Sequence, residues 1–181
     1  NDEVISLTLL RHVDLNVETR AEYLRAVGAR RRLTNGGYED RADDRARDAK
    51  LAAKLDDPTQ GALGEREQFL LSVTENGYGK RTSAFDYRTI GRGGQGMMNI
   101  KTSTRNGPVV ASFPVGDDDQ VVMMSDRGRI IRMPVDDIRI ASRNTQGVIL
   151  FNTEAGEKVV SVAHLAAGAA EAVTEGVAVA R

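Results

Sequence analysis

Short runs of aliphatic and β-branched residues alternate with turn residues through the second half of the chain. Between residues 118 and 165 these runs occupy 120–124, 129–133, 147–151 and 158–163. Runs of this length and composition predict β-strands. Gly128 and Gly156 lie between runs, where a residue that tolerates positive φ can reverse the chain. The pattern therefore predicts a mainly β fold with about four strands in this stretch.

The same pattern occurs earlier in the chain as an internal repeat. An offset of 51 residues places 73–81 on 124–132 and 95–100 on 146–151. Residues 3–7 also match 158–162. Four strands in about 50 residues is typical of a propeller blade, although two hairpin pairs forming one sandwich remain an alternative. The expected domains, in chain order, are as follows: 1–10, the closing strand of a preceding blade; 11–67, an insertion; 68–117, a blade; 118–165, a final blade; 166–181, a flexible tail.

Residues 11–67 interrupt the strand pattern. Apolar spacing predicts a helix over 17–27 with Gly28 as its stop, a loop at 33–37 and a solvated helix over 40–55. We interpret this segment as a helical insertion between blades, either a site for a protein partner or a tolerated surface excursion. Its Arg30-Arg31-Arg32 run is compatible with phosphate contact, but acidic residues follow closely, which favours an ordinary surface. One expectation from the leading strand is that the sequence is part of a longer protein.

Composition narrows the possible functions. The chain has no cysteine and only two histidines, His12 and His164, which excludes disulfides and thiolate metal sites and argues against a histidine-rich one. No apolar run reaches the length of a membrane span and no signal peptide is evident, so a soluble, cytoplasmic protein is expected. Overall charge is balanced at 25 basic against 26 acidic residues. However, six basic residues with one acidic interruption are grouped as Lys80, Arg81, Arg88, Arg92, Lys101 and Arg105.

No catalytic constellation is evident. Asp117-Asp118-Asp119 and Asp136-Asp137 are interpreted as hydrophilic turns, and His164 as a packing or cap residue. The glycines at 91, 93 and 96 match a dinucleotide-binding spacing, but strand-rich sequence follows where a helix should begin. Such a loop can instead approach a phosphate backbone, with Arg92 and Gln95 as donors. The second repeat keeps this arginine and glutamine at Arg143 and Gln146, which leaves a function and a simple turn as equally supported interpretations.

Residues 77–82, 97–101, 105–107 and 143–150 together strongly resemble the C-terminal domain of the DNA gyrase A subunit. The resemblance covers 1–10 and 69–165. It implies a partial β-pinwheel, a propeller-like fold that exchanges strands between neighbouring blades, here as about two four-stranded blades plus the helical insertion. It also implies duplex-DNA binding and wrapping, in support of ATP-dependent negative supercoiling by the whole enzyme.

The expected DNA contacts are Lys80, Arg81, Arg92, Gln95, Lys101, Arg129, Arg143 and Gln146. The resemblance implies no cofactor or metal in this chain, with ATP and Mg²⁺ belonging to the enzyme core and the other subunit. It also assigns the catalytic tyrosine to another region, so no tyrosine of this chain is expected to be catalytic. Expected partners are duplex DNA, the rest of gyrase A, gyrase B and a possible protein at the insertion, with no membrane. The alternatives are the C-terminal domain of the topoisomerase IV A subunit, a propeller that recruits a protein through its insertion and, last, a nucleotide-dependent enzyme.

Overall fold

The computed structural model describes residues 4–35 and 42–168. They belong to two units. A helical unit spans Arg11–Glu67, and a strand unit comprises Asn1–Leu10 and Gln68–Arg181. No helix of the described part is long and apolar enough to cross a membrane.

The helical unit, as far as its residues are described, contains three α-helices and a short 3₁₀ turn. They are α1 (Val17–Asn35), α2 (Ala42–Ala52), the 3₁₀ turn (Ala53–Asp56) and α3 (Pro58–Arg66). Asn16 caps α1 by accepting a hydrogen bond from the Thr19 amide at 2.7 Å, and Asp57 caps α3 through the Thr59 amide at 2.8 Å. The small unit buries Tyr23, Ala26, Val27, Ala29, Leu55 and Leu63.

The predicted end of α1 at Gly28 is wrong. The helix continues through Gly28 to Asn35, so residues 33–35 are helical rather than a loop; residues 36 and 37 lie outside the described part. A mid-helix glycine is unfavourable by about 1 kcal/mol relative to alanine. Burial of Ala26, Val27 and Ala29 around it supplies packing that local propensity does not include.

The described residues of the strand unit form seven strands in two antiparallel sheets. They are β1 (Phe69–Thr74), β2 (Tyr78–Ser83), β3 (Val109–Val115), β4 (Gln120–Ser125), β5 (Ile130–Pro134), β6 (Val148–Ile149) and β7 (Val159–Leu165). The first sheet has the order β3-β1-β2-β6 and the second β5-β4-β7. Nine buried side chains form one core cluster, among them Leu71 and Val73 of β1 and Val121 and Met123 of β4. This arrangement confirms the predicted mainly β fold.

The 51-residue repeat is visible in the backbone. β1 and β4 each carry a register irregularity at the same repeat position, between Val73 and Thr74 and between Met124 and Ser125. The hairpin turns that follow use Gly77 and Gly128, with φ of 77° and 78°. The repeat therefore reproduces strands, irregularities and turns, and not only residue types.

The fourth strand is exchanged between the repeats. β6 lies in the second repeat, yet it pairs with β2 of the first, with Tyr78 opposite Ile149 and Gly79 opposite Val148. Consequently the second sheet has three strands among the described residues, where the sequence pattern predicts four. Gly79 leaves room for this pairing, because a Cβ there would lie 2.5 Å from Leu150 Cδ1; the corresponding position of β5 is Ile130.

The strand expected over residues 1–10 is not seen among the described residues of that segment. Residues 4–10 have no assigned secondary structure, and Val4, Leu7 and Leu9 are each about nine-tenths exposed. A strand requires a neighbour that pairs with its backbone, and no described strand pairs with this segment. Ser6 Oγ nevertheless contacts the first sheet, by donating a hydrogen bond to the Ser112 carbonyl at 3.1 Å.

Candidate nucleic-acid interface

Two loops at equivalent repeat positions carry most of the predicted site. We call residues 87–101 the first outer loop and residues 136–147 the second outer loop. The offset of 51 relates Arg92 to Arg143 and Gln95 to Gln146, and both loops contain a glycine with positive φ at the next position: φ is 75° at Gly96 and 81° at Gly147.

The two outer loops contact each other. The Lys101 amide donates to the Thr145 carbonyl at 3.1 Å, and Arg143 donates to the Met98 carbonyl at 3.0 Å. The Arg143 guanidinium also lies 5.8 Å from the centre of the Tyr87 ring. Just beyond the first outer loop, Ser103 Oγ accepts a hydrogen bond from Gln146 at 3.2 Å. Residues far apart in sequence are thus brought into one continuous region of surface.

The glycine-rich segment of the first outer loop is open to solvent. Arg92 and Gln95 are exposed, and neither side chain has a partner in the described part of the chain. A Cβ on Gly91, Gly93 or Gly96 would meet no other atom within 4 Å. No helix follows Gly96, so the geometry lacks the helix N-terminus that a dinucleotide-binding loop needs.

Lys80 and Arg81, two of the expected DNA contacts, are buried in the strand unit. Lys80 is fully buried and Arg81 is 5 % exposed. Burial lowers the pKa of Lys80 to about 8, with Asp86 opposing and Arg143 adding to that change. Arg81 forms an ion pair with Asp117 and donates to the Ile138 carbonyl at 2.7 Å. Both side chains are therefore engaged by groups within the chain, and their contact with DNA stays a prediction.

Arg129 makes structural contacts within the strand unit. Its guanidinium donates to the buried carboxylate of Glu157 at 2.6 Å and lies 5.2 Å from the centre of the Phe151 ring. The pKa of Glu157 is lowered, first by the hydrogen bond from the Glu154 amide and further by Ser125 and Arg129. The Arg129 side chain remains 45 % exposed, but its charge already has a carboxylate partner.

The remaining cations of the strand unit separate into two groups. Those near the hairpin turns are paired: Arg127 with Glu154 at 2.9 Å, and Lys158 with Glu75 at 2.8 Å. Arg105 donates to the Tyr78 hydroxyl at 3.0 Å, and Arg132 donates to Gln120. The exposed cations without a side-chain partner among the described residues of this unit are Arg88, Arg92, Lys101 and Arg139. All four lie on the outer loops.

Arg88 and Arg139 are functional candidates outside the set expected from the sequence. They are related by the same offset of 51 that relates Arg92 to Arg143. The signal was therefore present in the repeat, since two arginines recur in both outer loops. The local density of positive charge in the sequence instead favoured Lys80 and Arg81 as candidate DNA contacts.

The acidic residues singled out in the sequence form turns and pairs. Asp119 accepts hydrogen bonds from the amides of Gly116 and Ala167, at 2.7 and 2.9 Å, and contacts His164 Nε2 at 2.7 Å. Within the described ranges no group of three or more metal-ligating side chains is found. His164 also lies 5.7 Å from the Phe113 ring, which agrees with a packing and capping role.

The basic run of the helical unit holds helices together. Arg32 donates twice to the buried Asp48 carboxylate, at 2.7 and 2.8 Å, and Arg31 lies 3.4 Å from Glu67. Glu67 also accepts a hydrogen bond from Tyr23 at 2.9 Å, and burial followed by the Glu67 charge raises the pKa of Tyr23. These contacts favour the structural interpretation of Arg31 and Arg32 over phosphate binding.

Comparison with known families supports the gyrase resemblance. Residues 68–115 and 119–165 match the family described as DNA gyrase C-terminal domain, beta-propeller. The DNA gyrase A subunit of Granulibacter bethesdensis is 48 % identical over 168 residues, which cover 89 % of this chain and 18 % of the relative. The DNA gyrase A subunit of Rickettsia conorii is 39 % identical over 165 residues, covering 91 % and 18 %. The chain thus spans less than a fifth of the length of these curated relatives.

The alignments with these relatives differ in length. The DNA gyrase A subunit of Salmonella typhimurium is 47 % identical over 100 residues, or 55 % of this chain and 11 % of the relative. The Granulibacter and Rickettsia alignments are longer than all residues outside 11–67 together, so they include part of the helical unit. The Salmonella alignment is short enough to fit within the strand unit.

Solved structures show the same fold. A DNA gyrase A C-terminal domain superimposes with a TM-score of 0.51 at 27 % identity, over 55 % of this chain and 34 % of the other. A DNA topoisomerase IV C-terminal domain superimposes with a TM-score of 0.52 at 18 % identity, over 61 % and 35 %. At that lower identity the topoisomerase IV structure shows a shared fold only.

Proposed function

Because the chain belongs to the DNA gyrase C-terminal domain family, we propose that its strand unit binds duplex DNA through the two outer loops and contributes to DNA wrapping. The observation that supports this function is the distribution of charge. The unpaired cations Arg88, Arg92, Lys101 and Arg139 all lie on the outer loops, whereas Arg127 and Lys158 near the hairpin turns are paired with carboxylates.

The chemistry of these loops fits recognition of the phosphate backbone. Arginine and lysine side chains and exposed main-chain amides contact phosphates without reading base sequence. The strand unit offers few aromatic rings for stacking on single-stranded bases: Phe85 and Phe151 are buried, and Tyr78 and Tyr87 are half-buried beneath arginines. Wrapping requires such contacts to be distributed along a rigid surface, and a repeat that presents arginines in each loop provides that spacing.

The wider function of the protein is part of the same proposal. We propose that the chain takes part in ATP-dependent negative supercoiling by the whole enzyme, with ATP and Mg²⁺ on the core and the other subunit. We also propose that it assembles with the rest of gyrase A and with gyrase B in the cytoplasm. This chain would contribute the DNA-binding surface to that assembly and none of the chemical steps.

Salt dependence tests the DNA-binding proposal. If the four unpaired cations each neutralise one phosphate, log K should fall with log salt at a slope of about −3.6. Arg92→Ala/Arg139→Ala should change that slope to about −1.8. Arg127→Ala/Lys158→Ala removes the same charge from paired positions and should leave the slope near the wild-type value. Equal effects of the two double variants would argue against the outer loops, and absence of salt-dependent binding by the wild type would overturn the proposal.

A protein partner at the helical unit is a second proposal. It is supported by the presence of part of this unit in the Granulibacter and Rickettsia alignments. A groove of about 410 Å³ between α1 and α2 is lined by apolar Val17, Ala21 and Leu51 and by charged Glu22 and Lys54. Replacing residues 11–67 by a short linker should leave duplex affinity and its salt slope unchanged. A lower slope would instead assign the helical unit to DNA binding.

A further inference from the structure

Three consecutive side chains of β2 hold the main chain of the second outer loop. Lys80 Nζ donates to the carbonyls of Ser142 and Arg143, at 2.5 and 3.0 Å. Arg81 donates to the carbonyls of Ile138 and Asp136, at 2.7 and 3.0 Å. Thr82 Oγ1 donates to the Ala141 carbonyl at 3.0 Å. We call these three residues the β2 clamp.

Main-chain hydrogen bonds reinforce the β2 clamp. The Arg81 amide donates to the Arg139 carbonyl at 3.0 Å, and the Ala141 amide donates to the Arg81 carbonyl at 2.8 Å. The backbone is therefore fixed at Arg139 and at Arg143, the two arginines of this loop. Fewer conformations remain to be lost when a ligand orders those side chains.

The second repeat lacks the clamp. The counterparts of Lys80, Arg81 and Thr82 are Ile131, Arg132 and Met133. Ile131 and Met133 pack against the hydrophobic core, while Arg132 is exposed and bonded to Gln120. The fold thus accepts aliphatic side chains at these positions, so packing alone does not require a buried lysine. Burying an ammonium against neutral carbonyls is unfavourable unless its hydrogen bonds are used.

We propose that Lys80, Arg81 and Thr82 are positioning residues, which order the second outer loop before DNA arrives so that Arg139 faces phosphates from a fixed backbone. This inference rests on the proposed DNA-binding function. It replaces direct phosphate contact by Lys80 and Arg81 with an effect transmitted through hydrogen bonds to the loop. It also links the strand exchange to binding, because the loop held by the first repeat belongs to the second.

A pair of matched variants tests this role. Thr82→Val removes the hydroxyl that donates to Ala141, while Thr74→Val removes an equally buried hydroxyl that donates to the Tyr78 carbonyl, away from the loop. Thr82→Val should increase amide hydrogen exchange across 139–146 and weaken duplex binding by roughly two- to tenfold at every salt concentration. Thr74→Val should change neither. Lys80→Met should act like Thr82→Val, but more strongly.

The salt slope separates positioning from direct contact. Because clamp residues do not touch phosphate, Lys80→Met and Thr82→Val should keep the wild-type slope, whereas Arg139→Ala should change it by about 0.9. A loss of slope in Lys80→Met, or unchanged exchange and affinity in Thr82→Val, would overturn the clamp inference. If the wild type itself shows no salt-dependent duplex binding, the DNA function fails first. The two failures are therefore distinguishable.

Discussion

Gly147 lies so close to Gly79 that a Cβ on Gly147 would be 2.6 Å from the Gly79 carbonyl oxygen. Gly147 also has a φ of 81°, a left-handed conformation that other residues rarely adopt. It directly precedes β6, whose first residue pairs with Gly79. The strand exchange between the repeats therefore depends on two glycines that face each other across this contact.

Gly147→Ala should destabilise the strand unit more than a glycine substitution in open space. Positive φ alone is unfavourable for alanine by about 1–2 kcal/mol, and the close approach adds strain to that value. Gly128→Ala is the control, because Gly128 has a φ of 78° but nothing within 4 Å of its Cβ position. Urea unfolding should therefore show a loss of about 1–2 kcal/mol for Gly128→Ala and a clearly larger loss for Gly147→Ala. Equal losses would contradict the close packing of β6 on β2.

Lys80 should give the strand unit a stability that rises with pH. Its pKa is about 8 in the folded chain and about 10.4 in an unfolded chain, so the unfolded state holds more protons between these values. The free energy of unfolding should then rise across this window by at most about 1.4 kcal/mol per pH unit. Asp86 favours the charged form and Arg143 opposes it, but burial has the largest effect.

The comparison with Lys80→Met isolates this effect. Denaturant unfolding at several pH values between about 7.5 and 9.5 should show the wild type gaining stability relative to Lys80→Met. Subtracting the free energy of unfolding of Lys80→Met from that of the wild type removes the contribution of groups that titrate in both proteins. A constant difference across this range would mean that Lys80 is not held in the buried environment described above.

Glu157 should contribute stability at neutral pH that is lost in acid. Its pKa is lowered in the folded state, chiefly by the Glu154 amide, so its contribution is present above the ordinary carboxyl pKa and disappears as the pH falls through the folded value. Glu157→Gln should therefore be less stable than the wild type at pH 7, and the difference should shrink towards about pH 3. A difference that does not depend on pH would indicate that packing, and not charge, explains its effect.

Arg32 should stabilise the helical unit, whereas its neighbour Arg30 should not. Arg32 forms a double hydrogen bond with buried Asp48, while Arg30 has an exposed side chain. Arg32→Ala should lower the free energy of unfolding by about 1–3 kcal/mol, since the Asp48 carboxylate stays buried but loses its bidentate partner. Arg30→Ala should remain within about 0.5 kcal/mol of the wild type. Thermal unfolding followed by circular dichroism at 222 nm would measure both.

The sequence predicted local structure well where it depends on neighbouring residues. The hairpin strands of both repeats, the turns at Gly128 and Gly156 and the presence of helices in 11–67 follow from local spacing and turn chemistry. The predicted end of α1 at Gly28 was wrong, because burial of the residues around Gly28 outweighs the poor helix propensity of glycine. β6 joins the sheet of the first repeat, where Gly79 has no side chain to obstruct the pairing. A count of strands along the sequence does not take this packing into account.

The candidate site was less predictable from the sequence, because it too depends on contacts between residues that are far apart in the chain. Lys80 and Arg81 are adjacent charges in the sequence, but their partners are main-chain carbonyls about 60 residues later, and only the fold reveals them. Arg88 and Arg139 were accessible through the repeat offset, since each outer loop contains an arginine at that position. Charge density in the sequence singled out this basic region, but it did not distinguish the cations that have partners from those that have none among the described residues.

Site-specific crosslinking tests DNA binding by the outer loops most directly. The chain has no cysteine, so single cysteines can carry a photoreactive probe without further changes to the sequence. Probes at Arg92→Cys and Arg139→Cys, on the outer loops, would be compared with probes at Arg127→Cys and Lys158→Cys, near the hairpin turns. We expect crosslinks to duplex DNA from the first pair and little or none from the second. Crosslinking mainly from positions 127 and 158, or equally from all four, would contradict the proposed interface.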